Sequence, residues 1–211
     1  MKRTLTKLIC LLATVILFQT VAKSRDVARY DVAPHVESIM YGERRLATGF
    51  YMEFKNKVYL VTNKHVCDAS INLLKKRVLV TSKGTYNIKV ISKVHDLCLA
   101  ETSLKKGLKL SRVDVVPLDK VTISGHPDGD ALIIRSGRVI EAVSLQFNWI
   151  GQFEVDVTLT SVFCLPGSSG SPATNEEGEV IGVLFSGQFA KEISVLVPHK
   201  DLKLFMEKHA R

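Results

Sequence analysis

From about Val36 onward, short runs rich in β-branched and aromatic residues alternate with polar segments that contain Gly, Asn, Asp or Pro. Many short runs of this kind, bounded by turn residues, indicate an all-β sandwich or barrel. We predict two sets of six strands. The first set comprises Val36–Tyr41, Ala47–Phe54, Val58–Thr62, Arg77–Thr81, Tyr86–Val94 and Leu97–Glu101. The second set comprises Val121–Ser124, Leu132–Arg135, Val139–Gln146, Phe153–Leu159, Val180–Phe185 and Ile193–Val197.

The segments between the predicted strands are turns and one longer connection between the two sets. The basic stretch from Ser103 to Pro117 is expected to connect the two sets, and Ser136-Gly137 and Asn175–Gly178 have the composition of turns. Only the end, His199–His209, has apolar residues at helical spacing. The pattern therefore predicts two packed six-stranded antiparallel β-barrels, at about 33–110 and 117–198, followed by a C-terminal α-helix at about 199–209.

The N-terminal residues have a different pattern. Three basic residues precede an uncharged run from Leu8 to Ala22, whose apolar part, Leu8–Phe18, has 11 residues. A membrane-spanning helix needs about 20 apolar residues, whereas a signal peptide needs about 7–15. We expect residues 1–22 to be a signal peptide cleaved after Ala22 and residues 23–211 to be the exported domain, periplasmic or secreted. A retained signal anchor is the alternative, and no stable membrane insertion is expected after cleavage.

Composition and charge narrow the function classes. The 211 residues are 46% hydrophobic and 24% charged, which excludes a disordered chain and a protein with many membrane spans. The net charge of +8 fits an exported protein, a nucleic-acid binder or a partner of an anionic surface. The short basic runs at 75–77 and 105–106 have no aromatic stacking platform beside them, so we predict no nucleic-acid partner.

Cysteine usage is sparse. Cys10 leaves with the predicted signal peptide, and Cys67, Cys98 and Cys164 remain. Three cysteines cannot all pair within one chain, and a dense disulfide framework is absent from the sequence. We expect three reduced, mostly buried cysteines with at most one bridge.

Three segments carry residues suited to nucleophilic catalysis. They are Leu60–Val66, which presents His65 in a turn after a strand; His95–Leu99, with Asp96 at the head of an apolar strand; and Pro166–Pro172, a glycine-bracketed loop around Ser169. A serine hydroxyl becomes a good nucleophile when an imidazole takes its proton, and a carboxylate fixes the imidazole tautomer. Glycines beside the serine let backbone N–H groups converge on a developing oxyanion.

In this order, the three segments resemble the trypsin-like (chymotrypsin-fold) serine peptidases, particularly the Deg or high-temperature-requirement (HtrA) type. That family shows TNxHV-like, DLAxL-like and GxSGGP-like segments. The resemblance implies that Ser169 is the nucleophile, His65 the general base and Asp96 the orienting carboxylate. It also implies an oxyanion hole made by the amides of Gly167 and Ser169.

Two positions depart from the family pattern. Ser171 stands where the family usually has a second glycine, and Cys98 replaces a small apolar residue. The resemblance further implies that Phe163, Ser186 and Gly187 flank the pocket for the residue before the cut. These positions carry no acid, so we expect a small or medium apolar residue there rather than Lys or Arg.

The predicted function is therefore a serine endopeptidase that cleaves a protein or peptide substrate through an acyl-enzyme, with no cofactor and no metal. We expect no peptide-binding PDZ domain, because the chain ends soon after the predicted helix. One alternative is a catalytically inactive fold of this type that binds peptides. Another is a zinc site at His65-x-Cys67 and His95-x-x-Cys98, although alternation along a strand would turn His95 away from Cys98.

Overall fold

The computed structural model describes residues 31–42, 44–129, 131–147, 153–188 and 192–210. The predicted signal peptide, residues 1–22, lies outside the described residues. Among the ranges described, no helix is both long and apolar enough to cross a membrane.

Seven strands and one helix make the first barrel. In chain order they are β1 (Val36–Tyr41), β2 (Arg44–Phe54), β3 (Lys57–Thr62), α1 (Lys64–Leu74), β4 (Val78–Thr81), β5 (Gly84–Ile91), β6 (Cys98–Glu101) and β7 (Leu108–Lys109). Six antiparallel strands run in the order β1-β4-β5-β6-β3-β2, and the β1–β2 pairing closes the ring. The two-residue β7 adds to β2 in parallel.

The second barrel is a closed ring of six antiparallel strands. They are β8 (Lys120–Gly125), β9 (Ile133–Phe147), β10 (Phe153–Thr160), β11 (Pro172–Thr174), β12 (Val180–Gln188) and β13 (Ile193–Pro198), followed by helix α2 (His199–His209). Their order around the ring is β10-β13-β12-β11-β8-β9. The prediction of two six-stranded antiparallel barrels with a C-terminal helix is confirmed.

Alternation along the strands builds three apolar cores. On β3, Leu60 faces the interior of the first barrel, whereas Val61 joins a core shared by both barrels. Residues of β12, β13 and α2, including Leu202 and Phe205, pack into that shared core. Because these strands bury both faces, the two barrels are held against each other over the region where the candidate residues lie.

One helix was missed by the sequence analysis. We predicted that His65 lies in a turn and that only the C-terminal segment is helical, but α1 begins at Lys64 and continues to Leu74. Its buried side chains, Val66, Cys67 and Ser70, face the barrel at helical spacing. The segment has only 11 residues, and an isolated helix of that length is marginal in water, so packing against the barrel stabilises it.

The predicted turn at Ser136-Gly137 is also wrong, because β9 runs through both residues. A methyl group on Gly137 would come within 2.9 Å of the Val162 side chain, so the glycine allows a close approach between segments. The strand β11 was not predicted, and it supplies the sixth member of the ring. The turn at Asn175–Gly178 is confirmed, with the Asn175 N–H donating to the Glu179 carbonyl.

Candidate active site

The structure places His65 and Asp96 in direct contact. His65 is the second residue of α1, and Asp96 lies two residues before β6. The Asp96 carboxylate accepts two hydrogen bonds from this one residue: the His65 backbone N–H lies 2.9 Å from Oδ1, and the ring Nδ1 lies 2.7 Å from Oδ2. The carboxylate thus serves both as the orienting partner of the imidazole and as a cap on the helix.

Two further features hold this pair. Asn63, which precedes α1 and is fully buried, donates its side-chain amide to the Asp96 carbonyl at 2.9 Å. The first N–H groups of a helix have no partner within the helix, and the helix dipole favours a negative charge at that end. The Asp96 side chain is 4% exposed, whereas that of His65 is 36% exposed. The acid is therefore shielded while the imidazole remains accessible.

This geometry fixes the chemistry that the imidazole can perform. An ionised carboxylate only accepts hydrogen bonds, so the proton on a neutral His65 ring lies on Nδ1. The other ring nitrogen, Nε2, then carries no proton and is the ring atom that can take one from a nucleophile.

A disulfide lies two residues after each member of this pair. Cys67 on α1 and Cys98 at the start of β6 are joined, with a sequence separation of 31 residues. Our expectation that both thiols are reduced is wrong, while the limit of one bridge holds for the described residues, where Cys164 is the one free cysteine. The two cysteines pair because the elements that carry His65 and Asp96 are adjacent in the fold.

The disulfide also removes the thiolates on which the alternative zinc site depended. His95 instead faces helix α2, with its Nδ1 3.8 Å from Oδ2 of Asp201. Burial raises the pKa of Asp201 above its ordinary value, and the positive charge of a protonated His95 works in the opposite direction.

In the loop around Ser169, each backbone carbonyl from Pro166 to Ser169 accepts at least one hydrogen bond. The Pro166 carbonyl accepts from the Asp128 N–H at 2.7 Å, and the Gly167 carbonyl accepts from the Thr48 hydroxyl at 3.0 Å. The Ser168 carbonyl accepts from both the N–H and the hydroxyl of Ser171, at 3.0 and 2.6 Å. The Ser169 carbonyl accepts from the Thr48 N–H at 2.8 Å.

These bonds determine where the amides point. In a trans peptide the C=O and the following N–H point in opposite directions, and no cis peptide bond occurs in the described chain. The N–H groups of Gly167 and Ser169 therefore point away from Asp128 and Ser171. Within the described residues, neither N–H donates to a protein carbonyl. Gly167 has a φ of +86°, which a glycine adopts without steric cost.

The first barrel contacts this loop near His65. Thr48 on β2 donates two of the five hydrogen bonds described above. A methyl group on Gly170 would come within 2.3 Å of the hydroxyl of Thr62, which lies three residues before His65. The loop that carries Ser169 therefore lies against the end of β3, where the chain enters α1.

The three predicted pocket residues lie around one end of the second barrel. Gly187 pairs with Ser194 across β12 and β13, and the Ser194 hydroxyl donates to the Val162 carbonyl at 2.5 Å, next to Phe163. Ser186, the residue before Gly187, pairs with Val195. The Phe163 ring stacks against the guanidinium of Arg135, 5.1 Å from the ring centroid, and Arg135 also donates to the Phe163 carbonyl.

Sequence analysis did not identify Thr48, Asn63 or Arg135. Each acts on a residue at least 28 positions away in the chain, so the local sequence does not show which partner it binds. Asn63 alone has a visible signal: it lies in the TNxHV-like segment, and Asn is a preferred residue immediately before a helix. Here its amide binds Asp96 instead, and no side-chain cap bond is made.

The chain is similar to known proteins in both sequence and fold. The sequence profile of the trypsin-like peptidase domain matches residues 47–183, which is more than half of the chain. The chain is 28% identical over 163 residues to Protease Do-like 2, chloroplastic, of Arabidopsis thaliana, covering 72% of this chain and 26% of that protein. It is 27% identical over 165 residues to the serine protease Do-like HtrB of Bacillus subtilis, covering 70% of this chain and 34% of that protein. The chain thus spans about a quarter to a third of the curated relatives it matches.

Solved structures show the same fold. The active form of the Rv3671c protease from M. tuberculosis has a TM-score of 0.66 and 19% identity, covering 86% of this chain and 83% of that chain. The HtrA-type protease AlgW, solved with a decapeptide, has a TM-score of 0.70 and 17% identity, covering 87% of this chain and 66% of that chain.

Proposed function

This chain belongs to the family of trypsin-like peptidase domains, and from that premise we propose that it is a serine endopeptidase whose catalytic triad is Ser169, His65 and Asp96. The observation that carries the proposal is the His65–Asp96 pair, in which both carboxylate oxygens are bound to one histidine. A histidine held in this way keeps its Nδ1 on the carboxylate and presents Nε2 as the ring atom that can act as a general base.

In the first step, the Ser169 hydroxyl oxygen attacks the carbonyl carbon of the scissile peptide bond, and its proton moves to Nε2 of His65. The carbonyl electron pair becomes an oxyanion, which the N–H groups of Gly167 and Ser169 stabilise. The C–N bond then breaks, the departing amine takes the proton from His65, and the acyl group remains as an ester on Ser169.

In the second step, a water molecule attacks the ester while His65 takes one of its protons. The same two N–H groups stabilise the second oxyanion. The C–O bond to Ser169 breaks, the serine oxygen recovers the proton from His65, and the carboxylic acid product leaves. Asp96 keeps its negative charge throughout and stabilises the imidazolium form of His65.

The substrate is a protein or peptide with a small or medium apolar residue before the cut. The pocket positions Phe163, Ser186 and Gly187 carry no acid, and the guanidinium of Arg135 lies 5.1 Å from the centroid of the Phe163 ring. A substrate Lys or Arg entering there would lose hydration without gaining a counter-charge, whereas an apolar side chain gains roughly 25 cal/mol for each Å² buried.

Export of the domain is part of the same proposal. Disulfides persist in oxidising compartments and are rare in reducing ones, and the Cys67–Cys98 bridge is fully buried. A bridge of this kind supports the prediction that residues 1–22 direct the chain to the periplasm or outside the cell.

A fluorophosphonate probe tests the triad directly. We expect the wild-type protein to be labelled and to cleave a peptide library, whereas Ser169→Ala abolishes both activities with an unchanged circular dichroism spectrum. Ser168→Ala is the matched control, because the neighbouring hydroxyl is removed while Ser169 stays, and this variant keeps the label. An unlabelled wild-type protein would instead favour a peptide-binding fold without catalysis, and a library profile dominated by Lys or Arg would refute the pocket assignment.

A further inference from the structure

Two buried hydroxyls outside the triad hold the loop that presents Ser169. Thr48 is fully buried on β2 of the first barrel, and Ser171 is fully buried two residues after the nucleophile. Each donates to a carbonyl whose peptide plane orients the loop, Thr48 to Gly167 and Ser171 to Ser168. Neither side chain is accessible, so neither contacts a substrate.

The Thr48 hydroxyl connects three segments at once. It donates to the Gly167 carbonyl at 3.0 Å and accepts from the backbone N–H of His126, which follows β8, at 2.9 Å. Its own carbonyl accepts from the Thr62 hydroxyl at 2.8 Å. Hydrogen bonds therefore fix both the hydroxyl and the carbonyl of Thr48. Thr48 in turn fixes the position of the Ser169 loop, which belongs to the second barrel.

The Ser171 hydroxyl acts on the peptide that carries the Ser169 amide. The Ser168 carbonyl accepts from Ser171 Oγ at 2.6 Å, and the N–H on the opposite side of that peptide belongs to Ser169. Rotation of this peptide would break two hydrogen bonds and turn the Ser169 N–H away from the oxyanion position. A glycine at position 171 would keep one of the two bonds.

We propose that the hydroxyls of Thr48 and Ser171 are positioning groups. They keep the backbone N–H groups of the oxyanion hole in the required orientation before substrate binds. This inference rests on the proposed function, since an oxyanion forms only if Ser169 attacks. Catalysis gains most from donors that are already oriented when charge develops, because no reorganisation is then required. A loop in which four successive carbonyls accept hydrogen bonds meets that condition.

The test compares Thr48→Val, which keeps the side-chain shape, with Thr48→Ser, which keeps the hydroxyl. We expect kcat of Thr48→Val to fall about 10–100-fold with KM changed less than about threefold, since loosening a donor costs less than removing one. Affinity for a peptide aldehyde, whose hemiacetal with Ser169 places an oxyanion in the hole, should weaken by the same factor. Thr48→Ser should restore kcat to within about threefold of the wild type.

Thr174→Val is the matched control, because the buried Thr174 hydroxyl donates to the Thr122 carbonyl at 3.3 Å within the second barrel. A kcat of Thr48→Val equal to that of this control, or an unchanged aldehyde affinity, overturns the proposal. If Thr48→Val does not fold, Ser171→Ala provides the test: one lost hydrogen bond should lower kcat and aldehyde affinity about 2–10-fold, and no change overturns the proposal. Failure of the wild-type protein to react with the fluorophosphonate would refute the proposed function instead, so the two failures are distinguishable.

Discussion

At the scale of single residues, Asp96 has two tasks that use separate oxygens. Oδ1 accepts the His65 backbone N–H at the start of α1, and Oδ2 accepts the ring Nδ1. One carboxylate holds the start of the helix and orients the imidazole, so the position of the imidazole depends on both bonds. Asn63 then fixes the Asp96 backbone from the opposite side.

Asp96→Asn separates these two tasks. The Asn carbonyl oxygen can still accept the His65 backbone N–H, but the amide group would face Nδ1 and donate to it. The ring proton would then lie on Nε2, which can no longer take a proton from Ser169. We expect kcat to fall on the order of 10³–10⁴-fold, with little change in the unfolding midpoint, in paired kinetic and thermal measurements.

A loss of kcat below about tenfold would contradict the tautomer argument. Asp68→Asn on α1 is the control, because Asp68 pairs with Lys64 in a partly exposed ion pair, and such pairs contribute little. This variant should turn over at a rate close to the wild type.

At the scale of elements, the replacement of the family's second glycine by Ser171 is accommodated by β8. A methyl group on Gly125, the last residue of β8, would lie 2.0 Å from the Ser171 hydroxyl oxygen. The serine therefore occupies space that any larger residue at position 125 would fill. The two positions are coupled through space although 46 residues separate them in the sequence.

A double-mutant cycle measures this coupling. Gly125→Ala in the wild-type protein should lower the free energy of unfolding by about 1–3 kcal/mol, because the added methyl group clashes with Ser171. In the Ser171→Gly background, the loss of unfolding free energy caused by Gly125→Ala should be smaller by at least about 1 kcal/mol. Without the Ser171 side chain, the first atom that the added methyl group meets is the Thr48 hydroxyl oxygen, at 3.2 Å.

Denaturant unfolding of the four proteins gives the coupling energy. Gly187→Ala is the control, because a methyl group there meets its first neighbour at 3.4 Å and should cost the same in both backgrounds. An additive cycle for Gly125 and Ser171 would mean that the loop shifts away from β8 without cost.

At the scale of the whole molecule, covalent and apolar contacts together hold the site. The shared core joins the two barrels, and the Cys67–Cys98 bridge ties α1 to β6 within the first barrel. His65 and Asp96 lie two residues before the two cysteines, so the bridge restrains the separation of the elements that carry these two side chains. Thr48 completes the link by connecting the first barrel to the Ser169 loop.

Removal of the Cys67–Cys98 bridge should lower the free energy of unfolding substantially. Closing a loop of this length, with a separation of 31 residues, reduces the entropy of the unfolded chain by the equivalent of about 3–4 kcal/mol. We expect the double variant Cys67→Ala/Cys98→Ala to lose roughly that free energy of unfolding in denaturant titrations. Cys164→Ala, which removes the free cysteine of the described residues, is the control.

Reductant provides the second arm of this experiment. Dithiothreitol should lower the unfolding midpoint of the wild type and leave that of Cys67→Ala/Cys98→Ala unchanged. Equal sensitivity of both proteins to reductant would show that the bridge does not contribute to stability.

Local signals were sufficient for much of the fold. Alternating β-branched and aromatic residues predicted β1, β3 and β6 to within one residue, and the apolar spacing of Leu202, Phe205 and Met206 predicted α2 at His199–His209. These signals reflect burial of one strand face or one helix face, which depends on neighbours in the sequence. The candidate triad was named from short motifs for the same reason, because each motif combines a reactive side chain with the backbone that presents it.

The tertiary structure decided what depends on contacts between distant segments. Helix α1 forms because Val66 and Cys67 pack on the barrel, and residues 136–137 remain in β9 because Gly137 lets Val162 approach. The Cys67–Cys98 pairing and the Thr48 hydrogen bonds join residues 31 and 119 positions apart, so neither leaves a local pattern. The sequence by itself determined most of the strands, the C-terminal helix and the reactive side chains. Pairing between strands distant in sequence determined which of those side chains meet: β3 pairs with β6, so that His65 and Asp96 come into contact, and Thr48 of β2 binds the Ser169 loop.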